Sequence, residues 1–599
     1  MGWNKWPASL ATSLYNLYQA LGLAATLRRF MLFDRKSVQI VIPMSGFGER
    51  FRRAGYAVPK PLIEVDGRPI IGHVIDLFPG ETEFIFICNE EHLSIPEYRM
   101  AQILKDLCPT GRIVGIAPHK LGPINAVRQV EHLLDPNRPV IVNYCDFTCY
   151  WDWKRFKSFV ASTACAGAIP AYKGFHPHTL GTTNYAYIKE VTNIESEDGS
   201  GWVADIQEKQ PYTDNRMEEF ASSGTYYFAS AEIMSTAFEQ AMAQNLNVGG
   251  EFYVSLAYKP MLAEGMKVAV YPLQHFMQWG TPEDLNEYKA WSDTFRRLLA
   301  HEETSPASGS LIIPMAGMGK RFADEGYTLT KPLIPVSGKA MAIQAIKDLP
   351  NSQYQSLVLR ADMPGLAEIE KSIKNEFPNA AITLVPGLTE GQACTALIGL
   401  DALEKSGAPD IAPITFGACD NGVLFDHRAY RELIGNPDID ILVWAVRGHA
   451  NAIRKPQMFG WIDANKQGRI NTISVKTPLS SPSTDPIVIG TFTFKNASDA
   501  RQSINALIAR DGRINGEFYL DSCINDAIAM GLRCHIFEVD SFISWGTPND
   551  LKTFEYWQSC FHKWAHHPYR LELDHRIDHH RLAELNTRYA AMIPSLPNA

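Results

Sequence analysis

Short apolar runs punctuate the chain, separated by longer stretches in which apolar residues recur every three or four positions. The runs Val38 to Pro43, 83–89 (EFIFICN), 139–145 (PVIVNYC), Leu311 to Pro314 and 441–446 (ILVWAV) read as buried strands, with amphipathic helices between them. This alternation predicts an α/β fold of mainly parallel sheets flanked by helices, with ligands held beyond the carboxyl ends of the strands. The first 36 residues differ. Trp3, Trp6, Leu10, Leu14, Leu17, Leu21 and Leu27 follow helical spacing, and Asp34 is the first acid. An amphipathic helix docked on the body and a helix lying on a membrane surface both fit residues 1–33.

The pattern is written twice. Residues 37–70 align with 308–341 without a gap, and 16 of the 34 positions are identical. NYCDFTCYWDW at 143–153 matches GACDNGVLFDH at 417–427, GEFYVSLAYKPML at 250–262 matches GEFYLDSCINDAI at 516–528, and FMQWGTPEDL at 276–285 matches FISWGTPNDL at 542–551. A repeat of this size predicts two tandem Rossmann-like domains, 37–292 and 309–556, joined by a linker at 293–308. An N-terminal helix (1–36) and a His-rich helical tail (557–599) flank them. The tail's His562, His566, His567, His575, His579 and His580 lack a framed ligand set and read as a polar helix, not a metal site.

Composition acts by exclusion. With 599 residues, 46% hydrophobic and 20% charged, the chain is globular. A net charge of −9 argues against nucleic acid as a partner. Ten cysteines without CxxC spacing predict reduced thiols and a cytoplasmic setting, membrane-peripheral if residues 1–33 touch lipid. No apolar run reaches the length of a transmembrane segment. Self-association into a homo-oligomer stays open.

The candidate chemistry lies in the repeated G-x-G-x-R-F-x(3)-G-Y-x(3)-K-P-L. Glycines let backbone N–H groups approach phosphate oxygens, and arginine and lysine neutralise them. Together these motifs resemble the sugar-1-phosphate nucleotidyltransferases over roughly 37–290 and 309–555. The resemblance implies that Gly46, Gly48, Arg50 and Lys60 cradle a nucleoside triphosphate, as do Gly317, Gly319, Arg321 and Lys331. Gly122 in LGPINAV, and Gly391 with Gln392 in EGQACTAL, would hold the base. Asp146 and Asp420 would bind Mg²⁺. Glu208 and Lys209 in IQEKQP, with Gly224 and Glu251, would hold a sugar phosphate or similar phosphate monoester. Lys476, Gly490 and Glu517 are their second-copy counterparts.

This chain departs from the family at three places. Gln278 and Ser544 stand where much of the family has a second aspartate, Val475 stands where it has the glutamate, and its Tyr-Gly is Tyr185-Ala186 in copy one and Phe459-Gly460 in copy two. The implied reaction transfers a nucleotidyl group and releases pyrophosphate, supplying precursors of capsule or other surface polysaccharide. Two rivals remain: one copy serves as a regulatory nucleotide-sugar binder, or the protein is a glycosyltransferase. The absence of Asp-x-Asp disfavours the latter. Asp152 and Asp426 also match between copies, and a helix N-terminus explains them equally well.

Overall fold

The computed structural model describes residues 37–191, 201–300 and 307–592, so the expected helix at 1–36 lies outside the described residues. Two compact units emerge, one among the residues up to Tyr288 and the other spanning Lys289–Tyr589.

In the first unit, Gln39–Met44 is the third strand from one edge of a ten-stranded sheet, with Phe84–Asn89 and then Arg112–Ile116 on one side and Val140–Asn143 on the other. All three pairings are parallel; Ile40 stands beside Phe84 on one flank and Ile141 on the other. These strands are nearly all apolar because helices cover both faces, as the fully buried Ile40, Val41 and Ile42 show. Beyond Val140–Asn143 the sheet becomes mixed. Thr225–Phe228 runs antiparallel to it, followed by Gly167–Tyr172 and its parallel neighbour Val268–Pro272. A separate ribbon pairs Phe147–Tyr150 with Gln274–Gln278.

The second unit repeats this order. Ala381–Val385, Tyr354–Arg360, Ser310–Met315 and Ile414–Phe416 form the parallel block. Ile487–Phe494 joins antiparallel, then Ile441–Val446 with the parallel Cys534–Glu538. Asn421–Leu424 and Ser541–Ser544 form the matching ribbon. In both units the sheet extends to opposite sides of the unit's first strand, so a crevice opens beyond the carboxyl ends of that strand and its Val140–Asn143 or Ile414–Phe416 neighbour. The repeated loops meet there.

The expected linker and tail need correcting. Helix Pro282–Arg297 runs into residues 293–297, and Phe295 is buried against Phe554, Phe561 and Tyr569 of the second unit. The described residues 557–592 are not a polar helical appendage either. Helix Pro548–Lys563 crosses that boundary, two short turns follow, and only Leu582–Met592 is helical again. Among the histidines lie Tyr569, Leu571, Ile577 and Leu585, whose apolar surface is buried in the second unit. His567 itself is buried, receives the Tyr569 N–H on Nδ1, and bonds the Ser292 carbonyl through Nε2. Asp152 and Asp426 cap helices Trp153–Thr163 and His427–Gly435 through backbone N–H groups. None of the ten cysteines forms a disulfide.

Candidate active site

At the end of Gln39–Met44 the chain turns through Gly46-Phe47-Gly48 into the short helix Glu49–Arg53. Gly48 sits at φ 62°, ψ 31°, left-handed backbone that a side chain disfavours, and Gly319 repeats it at φ 63°, ψ 24°. Gly46 and Gly317 have open space where a Cβ would stand. The buried Pro61 and Leu62 pin the turn Lys60–Leu62, which aims Lys60 back across the crevice. Its Nζ donates to Asp146 Oδ2 at 2.8 Å. Burial works against the Lys60 ammonium, but the Asp146 carboxylate outweighs it and holds the lysine above its ordinary pKa. Arg50 lies close enough to oppose that charge.

The second unit builds the same pair. Lys331 Nζ donates to Asp420 Oδ2 at 2.5 Å and to the Gly546 carbonyl at 3.2 Å. Burial pushes Asp420 up, yet Lys331, helped by Arg321, holds it below the usual carboxylate range. Each aspartate is fixed from behind: Trp279 N–H donates to the Asp146 carbonyl and Trp545 N–H to the Asp420 carbonyl, both at 2.8 Å.

The cleft of the first unit has a volume of about 640 Å³. Gly46, Gly48, Arg50, Lys60, Gly122, Asp146, Glu208, Lys209, Gly224 and Glu251 all line it. Gly122 is required by contact, since a Cβ there would stand 2.5 Å from Phe252 N; at Gly391 it would stand 2.4 Å from Phe518 N. Gln392 opens helix Gln392–Lys405 directly after Gly391. Gly224 and Gly490 have φ of 96° and 79°.

Where the sequence predicts the acceptor, Lys209 and Lys476 both adopt left-handed backbone, φ 60° and 61°. Their N–H groups donate to the carbonyls of Tyr185 and Phe459. Lys209 Nζ donates to Tyr253 Oη at 2.7 Å, and that hydroxyl donates to Glu251. Lys476 Nζ turns instead to the Met458 carbonyl at 2.5 Å. Burial draws the Lys476 pKa down while Asp521 and the exposed Glu517 oppose it. Glu208 accepts from Ser255 Oγ at 2.5 Å, and burial raises its carboxyl pKa. Tyr253 and Tyr519 were legible in the shared GEFY but not singled out; Ser255 and Asp521 fall where the two copies differ, so no shared signal marked them.

The donor set around each aspartate suits a hard cation. Gln278 Nε2 donates to Asp284 at 2.6 Å, while its Oε1 is buried without a hydrogen-bond partner. Gln278 and Asp146 flank Gly280, whose Cβ would stand 3.6 Å from Gln278 Nε2 and 3.1 Å from Asp146 Oδ2. Ser544 Oγ and Asp420 flank Gly546 in the same way. Mg²⁺ is commonly held by one or two carboxylates with substrate phosphates completing its shell, so one aspartate and a neutral oxygen fit it. No cluster of three or more His, Cys, Asp or Glu groups occurs among the described residues.

Sequence comparison adds proteins with named activities. The chain is 29% identical over 156 residues to mannose-1-phosphate guanyltransferase 2 of Candida glabrata, covering 24% of this chain and 42% of that protein. It is 26% identical over 232 residues to the bifunctional protein GlmU of Paraburkholderia phytofirmans, covering 39% and 46%. The chain is similar to sugar-1-phosphate nucleotidyltransferases. It spans less than half the length of these curated relatives. No family model matches. Among solved structures, the nucleoside-diphosphate-sugar pyrophosphorylase of Vibrio cholerae RC9 has a TM-score of 0.35 and 21% identity, with 41% of this chain and 98% of that chain covered. The inositol-1-phosphate CTP transferase of T. maritima gives 0.33 and 13%, with 43% and 96% covered. No helix among the described residues is long and apolar enough to cross a membrane.

Proposed function

We propose that each unit transfers a nucleotidyl group from a nucleoside triphosphate to a phosphate monoester, such as a sugar 1-phosphate, and releases pyrophosphate. What carries this reading is the twice-built lysine–aspartate pair at the strand ends, Lys60–Asp146 and Lys331–Asp420, each with an arginine of the glycine loop beside it.

The chemistry needs no general base, because a phosphate monoester has a second pKa near ~6 and is already ionised at neutral pH. Its oxygen attacks the α-phosphorus in line, and the bond to the pyrophosphate leaving group breaks. Repulsion between the two anions is the obstacle, and fixed cations and bound orientation lower it. Gly46, Gly48 and Arg50 receive the triphosphate, and Lys60 neutralises the charge that builds up on the leaving group. Gly122, packed against the backbone of Phe252, lies beside the base. Lys209 holds the acceptor phosphate, with Glu251 orienting it through Tyr253, and Glu208 receives an acceptor hydroxyl. Gly317, Gly319, Arg321, Lys331, Gly391, Gln392, Lys476, Gly490 and Glu517 take the corresponding places in the second unit. Asp146 with Gln278, and Asp420 with Ser544, would hold Mg²⁺. Bound there, the ion would draw negative charge from the phosphates. Supply of capsule or other surface-glycan precursors is the use that the family resemblance suggests.

Pyrophosphate release from each of four nucleoside triphosphates, with Mg²⁺ and a panel of sugar phosphates, tests the reading. Asp146→Asn and Asp420→Asn should each remove the share of turnover belonging to one unit. If neither lowers release, the assignment of the aspartates fails.

A further inference from the structure

The two acceptor sides differ at three positions that the shared motifs bring into register. Glu208 of the first unit corresponds to Val475, Ser255 to Asp521, and Ala186 to Gly460. In the first unit the acid comes from the strand side. Glu208 ends strand Gly201–Glu208, and its carboxylate reaches Ser255 Oγ at 2.5 Å. In the second unit the corresponding strand Ile470–Val475 ends on an apolar residue packed against the core. The acid instead occupies the place of the serine, in the first turn of helix Leu520–Ala529. Because positions 208 and 255 touch in the first unit, moving the carboxylate across that contact leaves it in the same corner, beside the lysine.

The third difference shows that the exchange is built in. A Cβ at Gly460 would stand 2.5 Å from Asp521 Oδ2, so the carboxylate would have to turn aside. The first unit has Ala186 at the corresponding position, and the smaller Ser255 in place of the aspartate. Glycine therefore admits the aspartate in the orientation its carboxylate adopts. An acid in the first turn of a helix is ordinarily explained by the helix dipole, but that role neither calls for a glycine opposite nor carries a burial cost. Asp521 is half-buried, and burial pushes its carboxyl up to about 6, with Lys476 drawing it back. Its carboxylate lies within electrostatic reach of the Lys476 ammonium, each group shifting the other.

We infer that Asp521 receives an acceptor hydroxyl in the second unit, in place of the glutamate that the first unit supplies from Glu208, and that the two units therefore select acceptors with different hydroxyl geometry. This rests on reading the second unit as a nucleotidyltransferase. The ligand class is a phosphate monoester that carries free hydroxyls. A carboxylate projecting from the helix wall meets a different hydroxyl from one projecting from the strand.

The test uses the full chain with Asp146→Asn and Lys209→Ala silencing the first unit. Asp521→Ser should raise the acceptor KM roughly 10- to 100-fold, the loss expected for one hydrogen bond to a charged group, and leave the triphosphate KM unchanged. Adding Val475→Glu and Gly460→Ala should recover acceptor binding with the acceptor preference of the first unit. An acceptor KM within about twofold of the parent overturns the inference; Asp521→Asn supplies the same reading if the serine variant does not fold. If the silenced parent turns over no triphosphate with any acceptor, the catalytic reading of the second unit fails. Calorimetric titration then decides Asp521 alone. Asp521→Ser should weaken mannose 1-phosphate or glucose 1-phosphate but not orthophosphate, and unchanged sugar-phosphate affinity overturns the inference.

Discussion

Replacing Lys60 by methionine keeps the length of the side chain and deletes its charge, which makes it the sharpest test of the cationic cleft. Two accounts of Lys60 give different numbers. The ammonium lies 2.8 Å from Asp146, and the two side chains are 23% and 25% exposed. An ion pair with that much water access contributes at most ~1 kcal/mol to folding. If support of Asp146 were its whole purpose, Lys60→Met would cost a little stability and leave turnover alone. If Lys60 meets the phosphates as charge builds on the leaving group, the loss is that of a charge-assisted hydrogen bond, about 1.5–3 kcal/mol. That corresponds to roughly 10- to 150-fold in kcat/KM. The assay is pyrophosphate release in an Asp420→Asn background, so that only the first unit turns over, with a thermal melt run alongside. Lys60→Arg should recover part of the loss by returning the charge. A methionine variant with kcat/KM within twofold of the parent and a lowered melting temperature would refute the catalytic account.

Other perturbations separate the fold from the site. Gly46→Ala meets nothing within 4 Å and is expected to leave the melting temperature unchanged while raising the triphosphate KM; Gly391→Ala, forced against Phe518, should destabilise the second unit by about 1–3 kcal/mol in a urea melt. Arg576 Nη1 donates to Asp348 at 3.1 Å with both side chains 6% exposed, so Arg576→Ala strands a buried acid and should cost about 3–5 kcal/mol, read as lost hydrogen-exchange protection in the second unit. Burial pushes Glu555 up to about 7, against Arg588 and Lys552, from an ordinary 4.5. Between those values the folded state keeps a proton that the unfolded chain releases, so stability falls as pH rises through the window. Glu555→Gln should flatten the slope of melting temperature against pH there; an unchanged slope removes Glu555 as its source.

The parts of the site that depend on backbone geometry were legible in the sequence, because geometry restricts residue choice. Left-handed turns call for glycine at Gly48 and Gly319, and a lysine followed by proline and leucine marks the pinned turn that aims Lys60 and Lys331. The parallel block was legible from its apolar runs; its antiparallel half was not, since a run such as ILVWAV carries no sign of strand direction. The tail misled because its histidines suggested a wetted surface, whereas Tyr569, Leu571 and Leu585 among them decide its burial. Val475 looked like a lost acid. A residue missing from one strand can be supplied from a helix that a motif comparison never sets beside it, and here only the Gly460–Asp521 proximity joins them.

The conformation of the acceptor lysines bears on which features are kept for function. A residue other than glycine in left-handed backbone costs on the order of 1 kcal/mol, and glycine would remove that cost. Both units carry lysine there, at nearly the same φ, with the N–H bonded back to the residue at the start of the neighbouring hairpin. Around them much else has changed: the hydroxyl that receives Lys209 is replaced at Lys476 by a carbonyl, and the carboxylate has moved from strand to helix. A side chain kept in a strained place while its partners are exchanged is held there by something the partners do not supply. On the proposed function, the acceptor phosphate, the one group both units would share, would account for the lysine kept in both, and the acceptor hydroxyls for the surroundings that differ.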